Sequence, residues 1–210
     1  GSSCIYPKHA NQPINEDELL KGELEKTNEG YALAKIAGIK LCQYYNIKHN
    51  TSYRCLMPTN LYGEKDNYHE ENGHVIPSLI KKFYKAEKSG ENIDVWGTGN
   101  ARREFMYVKD LASALCFVMN LSDNEFFFND KLNNSHINIG TGKDVSIKNL
   151  INILSKLFNI KGKILFNSNM PEGVSRKLLD IKKIESLGWA HKISLEKGLA
   201  KTIEYYRKNF

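Results

Sequence analysis

The chain alternates between segments with a helical spacing of apolar residues and short, compact apolar runs. Apolar residues recur at spacings of three and four in six segments, which predicts amphipathic helices. These segments are 31–45, 74–87, 111–121, 146–158, 181–187 and 195–206. Short apolar runs predict strands at 53–57, 93–96, 104–108, 136–139 and 163–166. Helices that alternate with strands indicate an α/β fold with a largely parallel sheet.

Polar segments between these elements are expected to form ends, caps and loops. Residues 2–6 resemble the end of a strand that leaves a sheet, because Pro7 follows them. Asp110 stands where an N-cap would begin the helix 111–121. Residues 59–73 and 124–134 are rich in polar residues and are expected to be surface loops.

Composition and charge narrow the classes of function. The chain has 210 residues, of which 41% are hydrophobic and 26% charged, as in an ordinary globular protein. The formal net charge is +6, which is compatible with nucleic acid, a membrane surface or an anionic small molecule. The basic residues are spread along the chain, without a polybasic tail or a nucleic-acid motif. We therefore expect an anionic small molecule, and neither nucleic acid nor membrane as a partner.

The four cysteines show no C-x-x-C spacing, so we expect reduced thiols rather than a disulfide framework or a zinc site. No other metal site is expected. With no signal peptide visible, the expected location is the cytoplasm.

The first candidate chemistry is the pair Tyr31 and Lys35. Residues at i and i+4 lie on one face of a helix, where the ammonium stabilises a tyrosinate. Such a tyrosine can give a proton to a carbonyl oxygen while hydride arrives at the carbon. Ser2, near a strand end, could bond the same oxygen. Taken alone, the pair is also compatible with a surface tyrosine beside a solvated lysine.

Several motifs occur in a fixed order along the chain. They are Ser2-x-Cys4-x-Tyr6-Pro7, Tyr31-x-x-x-Lys35 and the segments 57–63, 73–77, 95–99, 103–105 and 137–142. In combination they resemble the extended short-chain dehydrogenase/reductases. The resemblance is strongest to the branch that converts GDP-4-keto-6-deoxy-D-mannose into GDP-L-fucose, and it covers the whole chain. It implies part of a Rossmann-type parallel sheet with a smaller, interleaved α/β substrate domain.

The resemblance also implies a domain division. Residues 1–62 and 108–145 would belong to the NADP-binding Rossmann domain, and 63–107 and 146–210 to the substrate domain. The family's Gly-x-x-Gly-x-x-Gly loop, which holds the cofactor pyrophosphate, does not occur in the sequence. We therefore expect the chain to be the C-terminal two-thirds of a longer protein, and not to bind NADPH productively by itself.

The resemblance implies two reactions in one pocket: epimerisation at C3 and C5, then reduction at C4 by NADPH. Cys4 and His74 match the family's two proton-transfer residues. Tyr31 would protonate the C4 oxygen, Lys35 would assist it and bond the nicotinamide ribose, and Ser2 would orient the carbonyl. On their residue types alone, Cys4 and His74 are also compatible with simple packing.

The binding residues follow from the same match. The cofactor would contact Ser2, Ser3, Tyr31, Lys35, Pro58, Thr59, Asn60, Leu61 and His74. The sugar nucleotide would contact Lys82, Trp96, Arg103 and Glu172. Lys82 keeps a positive charge for the diphosphate but lacks the planar fork of arginine, which relatives often have there. Trp96 could stack on guanine or ribose, or could be a core strand aromatic.

Two further expectations remain. A homodimer is expected through the Tyr31 helix, whose face Ile36, Ile39, Lys40, Gln43 and Tyr44 mixes apolar and polar residues. The alternatives to the GDP-fucose reaction are a relative acting on another GDP-4-keto sugar, such as a heptose or dideoxy sugar, and an inactive fragment that binds sugar nucleotides.

Overall fold

A computed structural model of the chain describes residues 1–69, 73–131, 134–170 and 173–210. The helices are α1 Glu29–His49, α2 Val75–Ser89, α3 Val108–Asn120, α4 Asp123–Phe127, α5 Ile147–Leu157, α6 Lys182–Ser186 and α7 Leu195–Asn209. The strands are β1 Cys55–Pro58, β2 Asn60–Tyr62, β3 Ile93–Trp96, β4 Arg102–Tyr107, β5 His136–Ile139, β6 Asp144–Ser146, β7 Ile164–Asn167 and β8 Arg176–Lys177.

The predicted α/β fold with parallel strand pairs is confirmed. Strands β1 and β5 pair in parallel with Leu56 opposite Ile137, and β3 and β7 pair in parallel with Val95 opposite Phe166. A further sheet has the strand order β2–β4–β6, and β8 also pairs with β4. Helices that follow buried parallel strands are typical of this class.

The chain forms two compact units. Unit 1 comprises Gly1–Asn60, Glu104–Lys143 and Lys177–Lys192, and unit 2 comprises Leu61–Arg103, Asp144–Arg176 and Ile193–Phe210. The sequence assigned 146–210 to one domain, whereas Lys177–Lys192 lies in unit 1. The reason is a backbone pairing that local pattern does not show, in which Ile14 N–H donates to Leu178 C=O and Asp180 N–H to Ile14 C=O, both at 2.8 Å.

Each unit has its own apolar core. In unit 1, one face of α1 (Ala32, Ile36, Ile39) is buried, as are Ala114 and Val118 of α3. In unit 2, the buried faces of α2 and α5 meet, and the rings of Phe83 and Phe158 lie 5.6 Å apart. Burial of this many aliphatic and aromatic side chains is the main favourable term in folding.

The face of α1 differs from the one expected for a dimer contact. Ile36, Ile39 and Gln43 are buried within unit 1, and of the expected set Tyr44 is the residue that is clearly exposed. The exposed apolar side chains of α1 also include Leu33 and Leu41.

Two local expectations, a strand end at residues 2–6 and an N-cap at Asp110, were wrong. Residues 2–6 do not end in a strand but contain a 3₁₀ turn, Ser3–Ile5, because the Ser2 side chain accepts the Cys4 N–H and starts a turn. Helix α3 begins at Val108, so Asp110 lies in its first turn, where its Oδ1 accepts the Lys192 N–H at 3.1 Å.

The segments expected to be loops contain regular structure as well. Helix α4 extends into the segment 124–134. It starts with a capping box of Ser122 and Glu125, and Phe126 and Phe127 are buried. Within 59–73, residues 60–62 form β2. The turn at 97–100 does not connect a hairpin, because β3 pairs with β7 and not with β4.

Among the described residues, no helix has the length and apolar character needed to cross a bilayer. The same part of the chain holds no group of three or more His, Cys, Asp or Glu that could bind a metal ion.

Candidate active site

The amino-terminal turn of unit 1 places Ser2 and Cys4 next to each other. Ser2 has extended backbone, and its Oγ accepts the Cys4 N–H at 3.2 Å. Ser3 and Ile5 are buried, and Cys4 between them is half-buried. The turn also packs against α1. A hydroxyl and a thiol therefore share one turn, which is held by its buried residues and by packing against α1.

Lys177 supplies a positive charge to the thiol. Its Nζ donates a hydrogen bond to Cys4 Sγ at 3.3 Å, and its side chain is half-buried. An ammonium in this position stabilises negative charge on the sulfur. The sequence did not predict the contact between Lys177 and the thiol, because it joins residues 173 positions apart and follows no local spacing.

Tyr31 and Lys35 lie together on the exposed side of α1. The Lys35 Nζ stands 5.3 Å from the centroid of the Tyr31 ring, which is 50% exposed. The helix produces this contact because residues four apart are neighbours on its surface. The phenol is thus accessible, with a cation beside its ring.

Segment 58–61 lies at the end of β1 and the start of β2. The Thr59 Oγ1 and the Asn60 Nδ2 both donate to the backbone C=O of Glu104, at 3.2 and 2.8 Å. Pro58 and Leu61 are half-buried, and Leu61 is the first residue of unit 2. Two of the side chains expected at the cofactor therefore hold the chain by internal hydrogen bonds.

The carboxylate of Glu104 is a second feature whose role the sequence pattern did not predict. It is fully buried and accepts the backbone N–H groups of Thr141, Gly142 and Leu179, at 2.5, 2.8 and 3.0 Å. Burial raises the pKa of this carboxyl, and the three N–H donors act in the opposite direction. A Cβ on Gly140 would come within 2.3 Å of Oε1, which explains a glycine in the 137–142 motif.

In unit 2, Lys82 and Trp96 lie together. The Lys82 Nζ donates to the Asp94 C=O at 2.9 Å and stands 5.9 Å from the Trp96 ring centroid. Strand β3 alternates buried and exposed positions, so Trp96 faces outward and is 51% exposed. Trp96 is therefore not a core aromatic, and its ring with an adjacent cation can receive a planar or anionic group.

The other expected residues of unit 2 occupy separate positions. His74 is the exposed N-cap of α2, and its C=O accepts the Ser78 N–H. The Arg103 Nη1 donates to the Arg102 C=O at 2.8 Å, and its Nη2 lies 3.2 Å from the position of a Cβ on Gly173. Glu172, which precedes that glycine, lies outside the described residues.

A salt-bridge cluster next to Arg103 joins three strands of one sheet, with Arg102 on β4, Asp144 on β6 and Arg176 on β8. Asp144 accepts from Arg102 Nη2 at 2.8 Å and from Arg176 Nε at 2.5 Å. The hydrogen bond from Arg102 in particular lowers the pKa of Asp144. The carboxylate thus offsets part of the positive charge of these two guanidinium groups.

Comparison with known proteins gives a consistent result. The model of the NAD dependent epimerase/dehydratase family matches residues 1–140. The chain is 49% identical, over all 210 residues, to GDP-L-fucose synthase of Escherichia coli (strain K12), of which it covers 65%. It is 41% identical over 208 residues to GDP-L-colitose synthase of Yersinia pseudotuberculosis, again covering 65%. The chain thus spans less than two thirds of the length of these curated relatives.

Solved structures agree with the fold. A GDP-6-OMe-4-keto-L-xylo-heptose reductase from C. jejuni superposes with a TM-score of 0.94 at 33% identity, over 100% of this chain and 69% of that one. A GDP-L-fucose synthetase from Naegleria fowleri bound to NADP superposes with a TM-score of 0.87 at 27% identity, over 99% of this chain and 64% of that one.

Proposed function

Because the chain belongs to the NAD dependent epimerase/dehydratase family, we propose that the intact protein epimerises and reduces GDP-4-keto-6-deoxy-D-mannose to GDP-L-fucose with NADPH. The observation that carries the proposal is the Tyr31–Lys35 pair, with the ammonium 5.3 Å from an accessible tyrosine ring. The 49% identity to an Escherichia coli GDP-L-fucose synthase over the whole chain supports the choice of substrate.

Epimerisation requires acid and base groups that exchange protons at C3 and C5, where the 4-keto group acidifies the hydrogens. We assign these roles to Cys4 and His74. Lys177 supports the role of Cys4, because its ammonium stabilises the charge that the sulfur carries after it gives up a proton. His74 is exposed at a helix start, where its imidazole can give or accept a proton.

Reduction at C4 requires a proton for the oxygen. NADPH, when bound, supplies the hydride to the carbon. Tyr31 gives its phenolic proton to the C4 oxygen, and Lys35 neutralises the charge that develops on the phenolate. Ser2 donates a hydrogen bond to the same oxygen. Ser2, Tyr31 and Lys35 are side chains of the right chemistry for the nicotinamide end of the cofactor.

The GDP portion requires cations and a stacking surface. Lys82 and Arg103 would neutralise the diphosphate, and the exposed Trp96 ring would stack on the guanine or ribose. The Lys82–Trp96 contact supports this assignment, because it presents a charge and a flat apolar surface together. Glu172 remains an expected contact to the ribose or base.

The proposed assembly is a homodimer through the exposed faces of α1 and α3 in unit 1. These faces carry apolar side chains that are 45–73% exposed, namely Leu33, Leu41, Tyr44, Tyr45, Ile47, Leu115 and Met119. Two helices with so much exposed apolar surface are typical of an interface. We place the protein in the cytoplasm, which suits four free cysteines.

A direct test is incubation of the intact protein with GDP-4-keto-6-deoxymannose and NADPH in deuterium oxide. We expect NADPH oxidation together with deuterium at both C3 and C5 of the product. Reduction without deuterium incorporation would contradict the epimerase role.

A related substrate is the second candidate. The TM-score of 0.94 to a GDP-4-keto-heptose reductase exceeds the 0.87 to a GDP-L-fucose synthetase, which favours a reductase of another GDP-4-keto sugar. Measuring kcat/KM for the deoxymannose and heptose substrates side by side separates the two. A higher value for the heptose would favour the second candidate.

A further inference from the structure

We propose that Asn138 is a positioning residue that sets the contact between Cys4 and Lys177. The buried amide of Asn138 is hydrogen-bonded both to the segment that carries Cys4 and to the segment that carries Lys177. The proposal rests on the function proposed above for the role of Cys4 in proton transfer, whereas the contacts that define it are independent of any substrate.

The first contact joins Asn138 to the Cys4 turn. Tyr6 follows that turn, and its hydroxyl donates to Asn138 Oδ1 at 2.6 Å. Tyr6 is 4% exposed and Asn138 fully buried, so water cannot replace this bond easily. Burial raises the pKa of Tyr6, so its hydroxyl stays protonated and remains a donor.

The second contact joins Asn138 to the segment that follows Lys177. The Asn138 Nδ2 donates to the C=O of Asp180 at 3.2 Å and to that of Ile14 at 2.9 Å. The Ile14 backbone pairs in turn with Leu178 and Asp180. Lys177 therefore begins a segment whose backbone is held by the same amide that receives Tyr6.

These contacts use the asparagine side chain at both ends. Its carbonyl oxygen accepts from the Cys4 side and its amino group donates to the Lys177 side, while its backbone N–H donates to Glu16 Oε1 at 2.8 Å. An apolar side chain of similar size would leave Tyr6 Oη and two backbone carbonyls without this partner in a buried place. The two segments would then shift relative to each other, and the 3.3 Å contact from Lys177 to Cys4 would be weakened.

The test measures the alkylation rate of Cys4 by iodoacetamide in the intact protein at neutral pH, with the Cys4 peptide followed by mass spectrometry. The variants are Lys177→Met, Asn138→Leu and the milder Tyr6→Phe. The matched control is Asn46→Leu, because Asn46 is also buried in unit 1 and its side chain also bonds in both directions, to Tyr53 and Thr51.

We expect Lys177→Met to slow alkylation about tenfold, as for loss of one charge-assisted hydrogen bond. Asn138→Leu should slow it about threefold, Tyr6→Phe should slow it measurably, and Asn46→Leu should leave it unchanged. General loosening of the fold would expose the thiol and accelerate alkylation. A slower rate therefore indicates loss of positioning, and a faster rate indicates general destabilisation. If Asn138→Leu does not fold, Tyr6→Phe decides. An unchanged or faster rate in the variants that fold would overturn the proposal.

A second readout keeps this proposal separate from the proposed function. Cys4→Ser should lose proton exchange at C3 and C5, and Asn138→Leu should reduce exchange more than reduction. If Cys4→Ser keeps full exchange, the proton-transfer role assigned to Cys4 is wrong. The alkylation rates still test, independently, whether Asn138 positions Cys4 and Lys177.

Discussion

Substitution of Gly140 by alanine gives a sharp test of how Glu104 organises unit 1. A Cβ at position 140 would lie 2.3 Å from Glu104 Oε1 and 2.9 Å from its Cδ. The carboxylate cannot move away freely, because it is fully buried and held by the N–H groups of Thr141, Gly142 and Leu179. Either the strand end shifts or hydrogen bonds to the carboxylate break.

The size of the effect follows from these two alternatives. Overpacking of a core costs about 1–3 kcal/mol, and loss of a hydrogen bond to a buried charged group costs about 1.5–3 kcal/mol. We expect Gly140→Ala to lower the free energy of unfolding by about 3 kcal/mol, and the melting temperature by about 10 °C. Gly38→Ala is the matched control. Gly38 is exposed in the middle of α1, and a Cβ there would meet nothing within 4 Å. It should stabilise by about 0.5–1 kcal/mol.

The assay is urea unfolding and thermal unfolding of the intact protein, followed by circular dichroism. A free energy of unfolding for Gly140→Ala within about 1 kcal/mol of that of the unsubstituted protein would refute the prediction, since that result requires Glu104 to be free to move.

Three other predictions concern pH, substrate and cofactor. Burial lowers the pKa of His136 from 6.5 to about 4. The unfolded chain therefore binds this proton first as pH falls, and stability should decrease between pH 6.5 and 4, by about 2–3 kcal/mol at pH 4.5. In urea unfolding, the free energy of unfolding of a His136→Phe variant should fall by about 2–3 kcal/mol less than that of the parent between pH 7 and pH 4.5. An equal fall in both proteins would contradict the lowered pKa of His136. Trp96→Ala should raise KM for the GDP-sugar about tenfold with kcat nearly unchanged, and an unchanged KM would remove Trp96 from the substrate site. The 210-residue polypeptide alone should show no micromolar binding of NADPH in titration calorimetry, because the sequence has no glycine-rich pyrophosphate loop; micromolar binding would refute this.

Local pattern was sufficient for several elements of the fold. Strands 93–96 and 136–139 were predicted with the bounds that the structure has, because compact apolar runs there are bordered by polar residues or glycine. Helix α1 is longer than predicted at both ends but contains the predicted pair Tyr31 and Lys35. The i, i+4 spacing alone was enough to bring those two side chains together.

Long-range contacts could not be predicted in the same way. The hydrogen bond from Lys177 to Cys4 joins residues 173 positions apart, and no local period encodes it. The buried role of Glu104 also depends on donors in two distant segments. Helix α4 was not predicted, because the segment around the buried pair Phe126 and Phe127 is rich in polar residues and was interpreted as a surface loop. These cases share one cause, because tertiary packing and not local propensity determines these contacts and this helix.

We propose that proton exchange on the sugar and reduction of its carbonyl use different side chains of one protein. The most direct measurement is the Tyr31→Phe variant incubated with GDP-4-keto-6-deoxymannose and NADPH in deuterium oxide. We predict that deuterium still enters C3 and C5 while NADPH oxidation falls at least about a hundredfold, since we assign Tyr31 the role of proton donor in the reduction alone. Retained NADPH oxidation, or loss of both activities in a variant that is still folded, would contradict this account.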